Sequence, residues 1–275
     1  MDPDMSYPTT LLPSAERIEK HLLTQLDHTA VYVYDTIDST NTQARRLIDE
    51  GASLPFVAVA HEQTAGKGRL GRSFHSPRGS GLYMTLGLDL LGELDRIATV
   101  TPIAAVAAAE AIEEICGKRP AIKWVNDLYL DGKKICGILT EAVTFEGGHH
   151  ILVGIGINVT TRDFPAGLRN PAGAVLAEED APVDQSLLCA RIIQKLLCGL
   201  LPERVEDSLR AYRERMAFVG ERVICTRQFP SDGQPITDGT EGVLIGVDDQ
   251  YGLLLRRDDG TVEALRGGEI SLTVK

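Results

Sequence analysis

A glycine-rich, basic loop lies between two predicted strands, and this arrangement limits the fold more than any other part of the sequence. The loop reads QTAGKGRLGRS at 63–73 and contains a G-x-G-x-x-G, together with a G-x-x-x-x-G-R-S that is one substitution from a P-loop. In both nucleotide-binding motifs a helix begins at the last glycines, because the phosphates bind at its N-terminus. Here the chain continues with SPRGSG at 76–81 and a strand-like LYMTLGL. The sequence therefore excludes both nucleotide folds.

Apolar spacing and turn residues predict a mixture of helices and strands in the rest of the chain. Apolar periodicity and helix start and stop signals predict helices at 14–27, 38–51, 95–117 and, broken near Pro202, 185–216. Runs rich in β-branched and aromatic residues predict strands before and between these helices. From Val219 onward, short strands with frequent turns predict a small, separate β-barrel. The fold class is therefore α+β.

The bulk composition favours a soluble enzyme with a small anionic ligand over a nucleic-acid-binding protein. The net charge of −11 disfavours general nucleic-acid binding, which requires a basic surface. Against that background, Lys67, Arg69, Arg72 and Arg78 lie within one short segment, which is either an anion site or a solvated basic loop. The chain has no long apolar run, no signal-peptide pattern and no C-x-x-C among its five cysteines. We therefore expect a cytoplasmic protein with free thiols and no membrane partner.

Two further motifs carry polar or glycine residues that suit a binding site. The first, KWVNDLYLDGKK at 123–134, contains an Asn-Asp pair that can hold a metal or a ribose, or can simply form a turn. The second, GIGINV at 154–159, has two glycines that indicate either close approach of a ligand or a β-bulge. The sequence has no G-x-S-x-G and no paired Cys/His signature. We therefore expect electrostatic catalysis without a protein nucleophile.

Taken together, these motifs resemble those of the biotin protein ligases in order and approximate spacing. The matching stretches are DSTNTQA at 38–44, EQTAGKGRLGR at 62–72, KWVNDLYLDGKKICGILTE at 123–141, GIGINV at 154–159 and GGEISL at 267–272. The resemblance covers roughly residues 31–275. It implies a mixed-sheet catalytic domain flanked by helices, similar to class II aminoacyl-tRNA synthetases. It also implies an N-terminal tail and short helix at 1–30, a biotin- and ATP-binding domain at 31–217, and a barrel domain at 218–275.

The resemblance also assigns roles to individual residues. It implies biotin contacts from Ser39, Thr40, Asn41, Gln63, Lys67, Gly68, Arg69, Lys134, Gly137 and Gly156. It implies ATP contacts from Arg72, Asn126, Asp127 and Asn158, with Asp127 as a candidate Mg²⁺ ligand. Lys134 and Arg69 are the implied catalytic residues. The sequence departs from the family pattern at Lys67, often an arginine, and at Val125, often a proline.

The implied reaction has two steps. ATP activates biotin as biotinyl-5′-AMP with the help of Mg²⁺, and a lysine of a biotin carboxyl carrier domain then attacks the mixed anhydride. The glycine loop becomes a lid that protects the adenylate from water. The partner is the carrier domain of a biotin-dependent carboxylase, and a homodimer is compatible with the sequence. Because only about 30 residues precede the first catalytic strand, we expect no DNA-binding domain.

Two other functions share some of these features. A lipoate ligase has the same fold and the same adenylation chemistry, but lipoate lacks the ureido ring that Ser39 and Thr40 would contact. A non-catalytic regulator that binds biotinyl-AMP would bind the ligand without releasing pyrophosphate. Both remain as alternatives to the biotin ligase.

Overall fold

The computed structural model describes most of the chain. The described residues are 11–22, 26, 28–89, 97–145, 148–166, 168, 171–227, 239–266 and 270–274. The predicted N-terminal tail, part of the first predicted helix and the glycines of GGEISL lie outside these residues. None of the helices in the described part of the chain is long and apolar enough to cross a membrane.

The helices follow the predicted order, with shorter ends. They are α1 (Ala15–His21), α2 (Thr40–Asp49), α3 (Ile97–Cys116), α4 (Gln185–Gly199) and α5 (Val205–Arg215). The helix α1 ends earlier than predicted, because Leu22 is already in the extended conformation. A 3₁₀ turn at Pro202–Arg204 separates α4 from α5, as the proline predicts.

The strands form two sheets. They are β1 (Ala30–Ile37), β2 (Phe56–Gln63), β3 (Gly81–Asp89), β4 (Ala121–Lys123), β5 (Asp127–Leu130), β6 (Lys133–Phe145), β7 (Gly148–Asn158), β8 (Arg222–Arg227), β9 (Thr240–Val247), β10 (Leu253–Arg256), β11 (Val262–Leu265) and β12 (Ile270–Val274). The larger sheet has the order β1-β2-β3-β7-β6-β5-β4. Only its β1–β2 pair is parallel, so the sheet is mixed and the predicted α+β class is confirmed.

The larger sheet is covered by helices on both faces. Alternate residues of β2 point to opposite faces: Val57 and Val59 join the core formed with α3 and α4, whereas Phe56 and Ala58 pack against α2. The helix α3 is rich in alanine and is buried along most of its length. The helix α2 contributes Ala44 and Leu47 to the smaller core on the other face, which fixes its position over the sheet.

The smaller sheet is antiparallel and packs against the end of the larger one. Its strand order is β11-β10-β9-β8-β12. The indole Nε1 of Trp124 donates to the carbonyl oxygen of Tyr251 at 2.7 Å, and the rings of Tyr212 and Tyr251 meet edge to face. Trp124 lies two residues before Asn126, so the C-terminal sheet supports the segment that carries the predicted nucleotide residues. The closure of this sheet into a barrel and the synthetase-like class stay predictions.

We predict that the contact between Trp124 and Tyr251 contributes to global stability. Trp124→Phe is expected to lower the free energy of unfolding by about 2 kcal/mol, because a buried carbonyl loses its donor and part of the indole's packing is lost. Tyr129→Phe is the control, since the buried Tyr129 hydroxyl has no hydrogen-bond partner in the described part of the chain. Denaturant unfolding of both variants measures the difference. Equal losses would contradict the prediction.

Candidate active site

The floor of the site is a row of four residues that face one another across the larger sheet. Tyr83 on β3 pairs with Gly156 on β7, Gly156 with Gly137 on β6, and Gly137 with Asp127 on β5. Neither glycine has a side chain, so the middle of the row is a shallow trough between Tyr83 and Asp127. The pairs of Gly156 with β3 and with β6 show no register shift, so the β-bulge interpretation is wrong, and the close approach of a ligand stays a prediction.

The ring of Phe74 lies over this trough. A Cβ atom at Gly156 would be 2.6 Å from the ring, and one at Gly137 would be 3.3 Å from it. The ring also meets Tyr83 edge to face, with 6.4 Å between centroids. Burial raises the pKa of Tyr83 to about 12, so its hydroxyl stays protonated and donates to Pro77 O at 2.9 Å. The sequence analysis did not identify Phe74. An aromatic residue just after a glycine loop was the available signal, because its ring can pack against a glycine of a strand.

Lys134 reaches the trough because β6 contains a bulge. Gly137 is the third residue after Lys134, so strict alternation would direct their side chains to opposite faces. The register between β5 and β6 shifts, however, so that Cys136 pairs with Leu128 and Lys134 pairs with Tyr129. The extra residue returns Lys134 to the trough side, and its Nζ lies 3.2 Å from the Cβ position of Gly137.

An ion pair joins the two charged residues of the site. Lys134 Nζ lies 2.7 Å from Asp127 Oδ1, and both side chains are largely buried. The backbone of Lys134 is held as well, since its N–H donates to Pro171 O and its carbonyl accepts from Gly173 N. The ammonium group is therefore fixed beside the trough, where it can meet an anionic ligand.

The glycine loop contacts the Asn-Asp motif directly. The loop contains only a three-residue 3₁₀ turn, Arg69–Gly71, which confirms that no helix begins at its glycines. Arg69 Nη1 donates to Asn126 Oδ1 at 3.1 Å, and Asn126 Nδ2 donates to Ile138 O at 2.9 Å. Gly68 N–H donates to the carbonyl of Arg72, which narrows the loop tip. The interaction of Arg69 with Asn126 thus brings the loop against the start of β5.

A second group of predicted residues meets at the N-terminus of α2. The backbone N–H and the hydroxyl of Thr40 both donate to Gln63 Oε1, at 2.8 and 3.2 Å. Ser39 occupies the N-cap position, but its side chain makes no capping hydrogen bond. Thr40 therefore orients Gln63.

Asn41 is buried and its amide is engaged by protein groups. Its Nδ2 donates to Glu141 Oε2 at 2.7 Å and lies 3.4 Å from Leu139 O. Its Oδ1 accepts from the Thr85 hydroxyl at 2.7 Å. These contacts position α2 on the sheet, so the biotin contact implied for Asn41 stays a prediction. Thr85 and Glu141 could not be identified from the sequence, because their partner lies 44 and 100 residues away in the chain.

The remaining predicted residues lie around the rim. Lys67 and Arg72 are exposed on the loop. Asn158 is buried at the end of β7; its Nδ2 donates to Gly173 O, and its Oδ1 has no hydrogen-bond partner among the described residues. Within those same residues, no three His, Cys, Asp or Glu side chains cluster as a metal site.

The chain is similar to proteins of one family. The model of the biotin/lipoate A/B protein ligase family matches residues 33–158, which include the whole trough. The bifunctional ligase/repressor BirA of Bacillus subtilis (strain 168) is 30% identical over 94% of this chain and 79% of its own length. A biotin–acetyl-CoA-carboxylase ligase of Paracoccus denitrificans is 32% identical over 81% of this chain and 92% of its own length.

A solved structure agrees with these relatives. The biotin protein ligase from Aquifex aeolicus, in complex with biotin and ATP, superposes with a TM-score of 0.72 and is 25% identical. The match covers 90% of this chain and 99% of that chain. The similarity therefore extends over both sheets of the fold.

We predict that the two glycines of GIGINV differ in their tolerance of a methyl group. An alanine Cβ at Gly154 would overlap the amide oxygen of Asn41, which its hydrogen bonds hold in place. Gly154→Ala is therefore expected to lower the free energy of unfolding by about 2–3 kcal/mol. Gly156→Ala serves as the matched control; the three atoms nearest to its Cβ all belong to the ring of the loop residue Phe74, and the change should cost less than about 1 kcal/mol. Thermal or denaturant unfolding tests the order, and the reverse order would contradict it.

Proposed function

This chain belongs to the family of biotin protein ligases, and from this premise we propose that it attaches biotin to a carrier protein at the expense of ATP. In the first step the biotin carboxylate attacks the α-phosphorus of ATP, giving biotinyl-5′-AMP and pyrophosphate. In the second step the amine of a carrier lysine attacks the acyl carbon and releases AMP. The observation that carries the proposal is the Lys134–Asp127 pair beside the Gly137–Gly156 trough.

Biotin has an apolar part and a polar part, and the site has an apolar region near Phe74 and a polar region near α2. The Phe74 ring and the glycines that it packs on form an apolar wall, which suits the sulfur-containing ring and the aliphatic chain of biotin. Thr40 and Gln63 supply polar groups at the end of the site near α2, which suits the ureido ring. We assign Ser39, Gly68, Gly137 and Gly156 to the same pocket, in agreement with the sequence prediction.

Lys134 offsets the charge that opposes the first step. Bringing a carboxylate to a triphosphate places like charges together, and negative charge builds up around the α-phosphate during the attack. An ammonium group that is already fixed by Asp127 and by its own backbone needs little reorganisation to stabilise that charge. Arg72, Asn126 and Asn158 would contact the nucleotide around it, with Lys67 adding positive charge from the loop.

Asp127 fits the requirements of a Mg²⁺ ion that arrives with ATP. Magnesium in nucleotide sites binds one or two carboxylates together with substrate phosphates and water. Asp127 is a single, largely buried carboxylate, and Asn158 Oδ1 is a buried acceptor that can add to the oxygen-rich surroundings. When bound, the ion would neutralise phosphate charge. Asp127 would hold both the ion and Lys134.

Arg69 connects the lid to the site. The loop around it is rich in glycine, so closure over the adenylate must come from side-chain contacts and ligand contacts. The hydrogen bond from Arg69 to Asn126 is such a contact. A closed loop would exclude water from the mixed anhydride until the carrier lysine arrives.

The proposed function is tested by pyrophosphate release. With MgATP, the protein is expected to release pyrophosphate when biotin is added and not when lipoate is added, since lipoate gives Thr40 and Gln63 no ureido ring to bind. A response to lipoate alone would favour the lipoate ligase, which the family also includes. Binding of biotinyl-AMP with no release of pyrophosphate from either acid would favour a non-catalytic regulator.

The same assay tests the role of Lys134. Lys134→Ala should reduce the rate of adenylate formation by a factor on the order of 10² or more, because the ammonium acts mainly on charge that develops in the transition state. Lys133→Ala is the matched control, since Lys133 is the neighbouring lysine and belongs to none of the assigned contacts. A Lys134→Ala protein with near-normal pyrophosphate release would refute the assignment.

Arg69 is tested by the specificity of the product. Arg69→Gly should still make biotinyl-AMP, because Lys134 is intact, but should release it early, so that it acylates lysines on unrelated proteins. After incubation with biotin, MgATP and serum albumin, a biotin blot should show much more labelled albumin than with the wild type. Arg69→Lys keeps the positive charge and loses the planar guanidinium, so it separates the contribution of the charge from that of the guanidinium hydrogen bonds. Unchanged albumin labelling with intact pyrophosphate release would rule out a role of Arg69 in retaining biotinyl-AMP.

A further inference from the structure

A buried serine outside the predicted site residues connects the α2 end of the site to the loop. Ser76 is 4% exposed and lies at the end of the glycine loop, five residues before β3. Its hydroxyl bonds to Gln63 on one side and to the backbone of Phe74 on the other. We infer that Ser76 is a positioning residue, which ties the aromatic cover of the trough to the glutamine that faces the ligand's polar ring. This inference rests on the proposed function.

The orientation of the Gln63 amide is fixed by its partners. The backbone N–H of Thr40 can only donate, so the atom 2.8 Å away must be the oxygen of the Gln63 amide. The Thr40 hydroxyl donates to the same oxygen. The other end of the amide is therefore Nε2, which donates to Ser76 Oγ at 2.8 Å. Because the amide has two N–H groups, Gln63 can donate one further hydrogen bond to a ligand.

The direction of the Ser76 hydroxyl follows from this orientation. Ser76 Oγ accepts from Gln63, so its single proton is free to be donated elsewhere. The available acceptor is the carbonyl oxygen of Phe74, at 3.0 Å. The result is a directed chain from Gln63 Nε2 through Ser76 to the Phe74 backbone. A residue without a hydroxyl at position 76 would break both links.

The backbone of Phe74 is thereby held at both of its polar groups. Its N–H donates to Gly66 O at 2.8 Å, and its carbonyl accepts from Ser76. Gly66 packs so closely that a Cβ atom there would overlap Phe74 O and would lie 2.7 Å from Ser76 Oγ. These hydrogen bonds hold the backbone that places the Phe74 ring over Gly137 and Gly156. A ligand that binds Gln63 therefore acts on the same hydrogen-bond chain that fixes the cover of the trough.

The experiment compares Ser76→Ala with the wild type in biotin-dependent pyrophosphate release. Loss of the neutral hydrogen bonds should raise the biotin KM about tenfold and change kcat much less, because the cover is needed for binding before chemistry. The ATP KM should stay within about twofold. Ser80→Ala is the matched control; Ser80 lies in the same segment, and its hydroxyl bonds to Pro77 O and Thr161 without reaching Gln63.

Two further measurements separate positioning from general destabilisation. Hydrogen exchange of residues 65–75 should slow when biotin binds the wild type and slow much less in Ser76→Ala, at equal biotin occupancy. In a double-mutant cycle, Ser76→Ala should add little to the biotin KM of Gln63→Ala, because both act through one chain. If Ser76→Ala does not fold, Ser76→Thr and Ser76→Val replace it. They have the same shape, and only the threonine keeps the hydroxyl and should keep a low KM.

The outcomes distinguish this inference from the proposed function. A wild-type protein without biotin-dependent pyrophosphate release would overturn the proposed function and the inference with it. An active wild type whose biotin KM and exchange pattern are unchanged by Ser76→Ala would overturn the inference alone. Additive effects in the double-mutant cycle, or equal KM values for the threonine and valine variants, would also overturn it.

Discussion

The site depends on two glycines that face each other across β6 and β7. Any side chain at Gly137 or Gly156 would fill the space that the Phe74 ring now covers, and at Gly137 it would also meet the end of Lys134. The surrounding sheet is packed on both faces, and at these two glycines the Phe74 ring lies directly against the backbone. The position of the Phe74 ring depends on the absence of side chains at these two positions.

The electrostatics of the site are local in a protein whose net charge is negative. Lys134 is paired with Asp127, and Arg69 is held by the neutral amide oxygen of Asn126. A paired lysine in a partly buried position keeps a defined orientation, whereas an exposed lysine samples many. Against the overall charge of −11, the loop and β6 therefore form a local group of cations.

Local signals in the sequence predicted the elements that depend on neighbouring residues. The Asp131-Gly132 dipeptide is typical of a two-residue hairpin turn, and the structure has both residues at positive φ between β5 and β6. The succession of strands and helices along the chain and the absence of a helix after the loop were also predictable. The face on which Lys134 lies was not, because it depends on a bulge in the pairing of β5 with β6. The same holds for Phe74, Ser76 and Thr85, whose roles arise from contacts between distant segments.

The segment Ser39-Thr40-Asn41 shows why not every residue of a family motif can contact the ligand. Three successive residues at the start of a helix point in directions about 100° apart, so they cannot all face one pocket. Thr40 turns to Gln63 and Asn41 turns to Thr85 and Glu141, toward the sheet. The Thr85 hydroxyl lies within hydrogen-bond distance of both Thr40 and Asn41, which locks the first turn of α2 against β3. A motif of this kind contains residues that contact the ligand and also residues that position them.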